Sequence, residues 1–327
     1  MKKILGIGNA LVDVLIRLES DDTLVTYNLP KGSMQLVDDQ KSNEVLEGAK
    51  NLAKQINSGG SAANTIDGLA NLGAPCGYIG KIGKDEFGQI FQNQLQDRQI
   101  ETKMGITDTQ TGRAVALISN DAERTFATFL GAAIELSPDD LKEDDFKDYD
   151  YLYLEGYLVQ NHALIEEAVK LAKKLSMKVV VDTASYNVVE TNVEFLNSII
   201  EEYVDIVFAN EEEARALTGK EPQEALEELA SKCEIAVVKT GKKGSLVKSE
   251  GKVYEIEPIT AESVDTTGAG DLYAAGFLYG LVRNLPFDKC GAIGSLVAGK
   301  VIEVIGARMD AARWKMINEE VSQLVSS

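Results

Sequence analysis

The densest chemistry in the chain lies in eight residues, Val264-Asp265-Thr266-Thr267-Gly268-Ala269-Gly270-Asp271, which lead into an apolar run from Leu272 to Val282. The spacing predicts a strand end, a glycine turn and a long helix. Glycines at 268 and 270 let the backbone turn tightly and aim several N–H groups one way, and the following helix adds the positive end of its dipole. Such a turn holds an anion, through the N–H groups of Gly268, Ala269, Gly270 and Asp271. A carboxylate beside it has a use: Asp271, at the helix start, can take a proton from a hydroxyl while the turn holds developing negative charge. The plain alternative, a capped helix after a glycine turn, fits an arbitrary G-x-G-D better than it fits the whole string.

The string resembles the C-terminal signature D-T-x-G-A-G-D of the PfkB (ribokinase-like) family of sugar and nucleoside kinases. A second match is Gly59-Gly60-Ser61-Ala62-Ala63-Asn64, so the resemblance extends over nearly the whole chain. It implies a ribokinase-like α/β fold, with a central, mostly parallel sheet flanked by helices and a small β lid, within one kinase domain over 1–327. It also implies ATP and Mg²⁺ as cofactors. Gly59, Gly60 and Asn64 match substrate-contacting positions, and Asp13 matches an aspartate that binds substrate hydroxyls. Asn210-Glu211-Glu212-Glu213 fits the family's N-x-x-E motif, in which Glu213 is linked to Mg²⁺ through water. Lys239-Thr240-Gly241-Lys242-Lys243-Gly244 matches its nucleotide loop, making Asn210, Lys239, Thr240, Gly241 and Gly244 ATP-binding candidates. The loop Ile305-Gly306-Ala307-Arg308 corresponds to one that, in many relatives, helps hold a monovalent cation, which puts a K⁺ near Asp265 and Thr267.

The residues support these roles to different degrees when read without the resemblance. Asn9 and Asp13 stand at strand ends, where polar side chains bind hydroxyls, although a lone aspartate there is usually a turn residue. Asn64, one turn into a helix, offers a donor and an acceptor to a diol, whereas the small residues before it equally suit close helix packing. Asn210 and Glu213 also read as an N-cap and its capping box.

The elements that must position these groups follow from periodicity. Ile4 to Ile7 is a short apolar strand, and Val12 to Leu18 a second. Residues 39–54 read as an amphipathic helix, and a further helix opens at the Gly59 motif. Arg113 to Ile118 and Arg124 to Phe129 alternate with period two about a polar turn at 120–123, the pattern of a hairpin. With residues 11–38 this stretch, taken as 98–130, forms the expected lid. Arg124 on it either reaches a transferring phosphoryl group or is an exposed hairpin residue. From Tyr151 onward strands and helices alternate, as in a parallel sheet covered by helices. Ligands bind beyond the carboxyl ends of such strands, where Glu155, Asp182, Asn210, Glu213 and Lys239 fall. A last amphipathic helix runs to Ser327.

Composition narrows the function classes. The chain has 327 residues, 44% of them hydrophobic, and a net charge of −19 without a basic run, which argues against nucleic-acid binding. Its three cysteines are widely spaced, and its one histidine, His162, limits triads and histidine metal sites. Met1-Lys2-Lys3 leads into a strand-length apolar stretch, and no run has the length of a membrane span. The expectation is a soluble, cytoplasmic protein, monomer or homodimer. Leu11 stands where a dinucleotide fingerprint starting at Gly6 needs glycine, which counts against a dehydrogenase. Gly294 to Lys300 has Walker A spacing, but Val301 replaces the Ser/Thr and the pattern is helical.

The expected reaction is phosphorylation of a primary hydroxyl, with Asp271 as base. The opening G-x-G-N-x-L-x-D resembles adenosine kinases of the family, and Leu11, Tyr157 and Leu158 suit a base pocket, so the expected substrate is adenosine or another purine nucleoside. Glu155 resembles a glutamate that some sugar-kinase relatives place on their substrate, which keeps a ribose- or fructose-type sugar as the alternative. A catalytically silent ligand-binding relative is the alternative of another class.

Overall fold

A computed structural model describes residues 1–121 and 123–326. The strands, in chain order, are β1 (Ile4–Ile7), β2 (Leu11–Arg17), β3 (Met34–Leu36), β4 (Lys54–Gly59), β5 (Cys76–Gly83), β6 (Glu101–Thr107), β7 (Thr111–Ile118) and β8 (Arg124–Gly131). They continue as β9 (Tyr151–Glu155), β10 (Lys178–Asp182), β11 (Ile206–Asn210), β12 (Ile235–Lys239), β13 (Ser245–Ser249) and β14 (Lys252–Ile256).

Nine strands form one sheet in the order β14-β13-β12-β11-β10-β9-β1-β5-β6. The pairs from β12 across to β6 are parallel, and β13 and β14 close the edge antiparallel. Runs such as Val179-Val180-Val181 are apolar on both faces because helices cover both. The helices Ser61–Asn71, Ala269–Val282, Phe287–Val301 and Ala311–Ser326 pack on one face. His162–Lys174, Val193–Tyr203, Glu211–Thr218 and Pro222–Ala230 pack on the other. The chain moves from β1 to β5 on one side, whereas β9 to β12 extend on the other side of β1. The strand order therefore reverses between β1 and β9, where an open α/β sheet leaves a crevice at its carboxyl edge.

A smaller sheet, ordered β3-β8-β7-β2-β4, stands over that edge. Two of its features differ from the reading by periodicity. The helix that opens at Asp39 ends at Gly48, and Lys54–Gly59 is a strand antiparallel to β2. Its sequence Lys-Gln-Ile-Asn-Ser-Gly carries no alternating apolar face, so pairing with β2 decides its conformation. Residues 101–107, expected in the lid, instead pair parallel with β5 at the edge of the large sheet. Ala122, in the turn read between β7 and β8, and Ser327 lie outside the described residues.

The segment from Leu272 to Val282 is buried on nearly all sides, which explains its lack of an amphipathic face. Gly294 to Lys300 lies inside the helix Phe287–Val301, not in a phosphate loop. No helix among the described residues is long and apolar enough to cross a membrane.

Candidate active site

The glycine turn is built around Gly268, the N-cap of the helix Ala269–Val282, with φ +77° in the left-handed region. A Cβ there would lie 2.5 Å from that of Ala307, so both conformation and space require glycine. The Ala269 N–H bonds the Thr266 carbonyl at 3.2 Å. The N–H groups that follow, of Gly270 and Asp271, belong to the first helical turn and have no intrahelical acceptor. Thr266 to Asp271 all line a single cleft of about 1350 Å³. Pockets for one drug-sized ligand run to about 1000 Å³, so this cleft has room for two.

Asp271 is held from the opposite wall. Its carboxylate accepts from Ser61 Oγ at 2.7 Å and from Asn64 Nδ2 at 2.9 Å, both on the helix Ser61–Asn71. Burial pushes its pKa up to about 6, against the lowering effect of these two donors and with Asp182 adding to the rise. A base poised there is ionised at neutral pH and basic enough to share a proton with an attacking hydroxyl. Asn64 lines the cleft, and its Oδ1 is buried without a hydrogen-bond partner.

Asn9, Leu11 and Asp13 line the same cleft from β2 and the turn before it. Gly59 leaves room for the Asp13 carboxyl, which a Cβ would meet at 2.3 Å; Gly60, at φ +91°, lets the Asn9 carbonyl approach equally closely. Burial raises Asp13 to about 7, opposed by Arg308 and reinforced by Asp271.

Glu155, which also lines the cleft, is held by donors from two other elements. It is 1% exposed, and its oxygens accept from Asn9 N at 2.9 Å, Asn9 Nδ2 at 2.8 Å and Ala62 N at 2.7 Å. Gly60 has no side chain to cap the helix Ser61–Asn71, and Glu155 supplies the acceptor from β9 instead. Burial nevertheless pushes it up to about 7, with the three N–H donors opposing.

The other half of the cleft lies at the ends of β10, β11 and β12. Lys239 pairs with Asp182 at 2.9 Å, and its ammonium stands beside Gly270. Burial acts to lower Lys239, but Asp182 and Glu213 outweigh it and hold the lysine charged, above its usual range. Gly241 and Gly244, at φ +56° and +91°, shape the turn into β13, in which Thr240 N bonds the Gly244 carbonyl. Lys239, Gly241, Lys242 and Gly244 line the cleft, so cations gather here despite the net charge.

Asn210 and Glu213 form a reciprocal capping box: Glu213 N donates to Asn210 Oδ1 at 2.9 Å and Asn210 N to Glu213 Oε2 at 2.8 Å. Thr183 Oγ1 donates to the same carboxylate at 2.7 Å. Glu213 is 2% exposed, and burial raises it, opposed by Lys239 and reinforced by Asp182. Among the described residues no group of three or more acidic, histidine or cysteine side chains could cage a metal. Two hard carboxylates, Asp182 and Glu213, beside a phosphate-sized space fit Mg²⁺ that keeps its water shell.

Arg124, the first residue of β8, reaches from the smaller sheet to the turn. Its Nη1 bonds Asp265 Oδ1 and, at 2.7 Å, Thr267 Oγ1. Asp265 also accepts from Thr267 N at 2.8 Å and from Gly306 N. Burial works to raise Asp265, but Arg124 and these N–H groups hold it below the usual carboxylate range. The place where the resemblance puts K⁺ thus holds a guanidinium of the chain itself. Asp265 and Thr267 do not fit a second cation in this arrangement.

Residues 32–313 match the model of the pfkB family of carbohydrate kinases. The chain belongs to that family. The pfkB chain is 29% identical to the 5-dehydro-2-deoxygluconokinase of Clostridium botulinum over 285 residues, 81% of this chain and 84% of that one. Its fold superposes on a probable sugar kinase from Rhizobium etli with a TM-score of 0.87, at 31% identity and 99% coverage of both chains. An adenosine kinase from Sinorhizobium meliloti gives 0.86 at 32% identity, covering 98% of this chain and 99% of the other. The protein is a kinase that transfers phosphate to an alcohol group, with ATP as donor, of the sugar-kinase type.

Three residues that organise the site went unassigned by the sequence reading. Ser61 lay within a matched motif, and Asp182 was one of several strand-end polar groups. Arg308 falls in the loop 305–308 matched to a cation site, with no role of its own.

Proposed function

We propose that this pfkB kinase phosphorylates the 5′-hydroxyl of a purine nucleoside, adenosine foremost. The observation that carries this reading is the apolar rim of the acceptor half. Met34, Leu36 and Ile134 line the cleft yet are 57%, 61% and 61% exposed, and Leu11, Leu130 and Leu158 continue the wall. A free sugar has no flat apolar face to cover such a rim, whereas a purine does. The polar floor beneath, Asn9, Asp13 and Asn64, suits the hydroxyls of an attached ribose.

In this reading the 5′-oxygen attacks the γ-phosphorus and gives its proton to Asp271. The new O–P bond forms as the bond to the bridging β–γ oxygen breaks, and ADP leaves with that electron pair. The N–H groups of Gly270 and Asp271, with Lys239, face the charge that spreads over the transferring group, so catalysis rests on position and electrostatics, while Arg124 braces the turn through Asp265 and Thr267. Asn210, Gly241 and Gly244, which line the cleft, border the donor nucleotide, and Thr240 N supports that turn through the Gly244 carbonyl. Asp182 and Glu213 would hold Mg²⁺ through its water, and the ion when bound neutralises phosphate charge.

A sugar acceptor is the second reading, favoured by curated relatives such as the 5-dehydro-2-deoxygluconokinase of Clostridium botulinum. The test is ADP release with Mg²⁺ against adenosine, guanosine, cytidine, ribose, fructose and 5-dehydro-2-deoxygluconate. The nucleoside reading requires the highest kcat/KM with a purine nucleoside. Turnover of a sugar with none of adenosine or guanosine overturns it.

A further inference from the structure

The three residues Gly306, Ala307 and Arg308 touch both halves of the reaction site. Gly306 N donates to Asp265, and the Ala307 Cβ packs under Gly268, so two of them support the phosphate turn. Arg308 faces the other way. Its Nε donates to the Ser58 carbonyl at 2.8 Å and its Nη2 to Ser58 Oγ at 2.9 Å, across 250 residues of chain. Its Nη1 pairs with Asp67 Oδ2 at 2.5 Å, on the helix whose first turns carry Ser61 and Asn64. Ser58 immediately precedes Gly59, against which the Asp13 carboxyl packs.

We infer that Arg308 is a positioning residue for the acceptor, fixing the Ser58-Gly59-Gly60 end of β4 and the Asp13 carboxylate that packs on it. Three considerations support this. The guanidinium donates from Nε and Nη2 to two oxygens of one residue while Nη1 stands within ion-pair distance of a carboxylate on a second element, a combination that an ammonium cannot reproduce. The side chain is largely buried, so these contacts are made in low dielectric. The charged groups acting on Asp13 are Arg308 from this loop and Asp271 from the helix Ala269–Val282, with opposite effects. Arg308 therefore acts on the acceptor through Asp13 and Gly59 rather than by touching the reacting atoms. The inference rests on the acceptor occupying this half of the cleft, as proposed above.

The test compares Arg308→Met and Arg308→Lys with wild type on whichever acceptor the wild type turns over best, nucleoside or sugar. Arg308→Met is expected to raise the acceptor KM at least ~10-fold while kcat and the KM for ATP change less than ~3-fold, a loss of uniform acceptor binding. The acid limb of kcat/KM should move to higher pH, because Asp13 loses its opposing charge. Arg308→Lys should return the limb toward wild type but recover the KM only in part. Hydrogen exchange gives a readout that needs no acceptor: amides of residues 54–64 should exchange faster in Arg308→Met, with those of 235–247 unchanged. Equal rises in both KM values, an unmoved acid limb, or unchanged exchange over 54–64 each overturn the inference. A wild type inactive on nucleosides but active on sugars overturns the nucleoside reading and leaves this one to be judged on the sugar.

Discussion

Replacing Asp271 by Asn changes charge and proton affinity with almost no change in shape, and the structure sets the size of both consequences. Ser61 can still donate to the Asn oxygen. Asn64 Nδ2 would meet an amide nitrogen, but Asn64 Oδ1 has no partner, so a flip of that amide restores the bond. The fold should therefore survive. The wild-type carboxyl is raised from 3.8 to about 6, which favours its neutral form in the folded state by roughly 3 kcal/mol. Because the folded value lies above the unfolded one, that preference stabilises the fold at acid pH and is lost as pH rises through about 6. At pH 8 the wild type carries the penalty and Asp271→Asn does not. Asp271 lines a cleft that water enters, so about half the figure, ~1.5 kcal/mol, is the better expectation. A rise in Tm of a few degrees at pH 8 follows, shrinking toward pH 4. Loss of the general base should meanwhile lower kcat at least ~100-fold, about 2.7 kcal/mol of transition-state stabilisation. Steady-state kinetics and thermal unfolding on the same preparations decide the matter. A variant with near-normal kcat, or one that loses stability at pH 8, refutes the assignment of Asp271 as a buried, strained base.

Other expectations follow from the remaining geometry. Asp271 and Asp13, raised to about 6 and about 7, must both be ionised to act, so kcat/KM should fall as pH drops from 8 to 5; a flat profile over that range contradicts their roles. Arg124 already neutralises Asp265, so exchanging K⁺ for tetramethylammonium should change kcat/KM less than ~2-fold. A requirement for K⁺ above ~10-fold means that Arg124 leaves Asp265 in the working enzyme. Glu155→Gln places an amide nitrogen against the Ala62 N–H and should cost about 1–3 kcal/mol of stability. If Glu155 instead bound a sugar, kcat/KM would fall with Tm unchanged.

What the sequence shows of this site is whatever is local. The glycine turn, the capping box at Asn210 and the Val-rich strands each state their geometry within about ten residues. The strand Lys54–Gly59 does not, because its partner β2 lies some forty residues earlier and its own residues are polar and half exposed. Glu155 is tied to a substrate only by resemblance, because nothing in its own segment names a partner. Its actual partners, Asn9 and Ala62, are 146 and 93 residues away and are set by sheet order. Arg308 is the extreme case, a lone basic residue whose meaning comes from Ser58 and Asp67. Residues 98–130 show a further limit: read together as lid, they divide between two sheets, because Glu101–Thr107 pairs with β5 and the local sequence does not name that partner.

The central claim is that this cleft delivers phosphate to a primary hydroxyl beside Asp271. The most direct measurement is phosphorus–proton correlation NMR of the product formed from ATP, Mg²⁺ and adenosine. The account predicts a single phosphomonoester coupled to the two H5′ protons of the ribose. Inorganic phosphate as the only product, or a phosphate coupled to the proton of a secondary carbon, contradicts it.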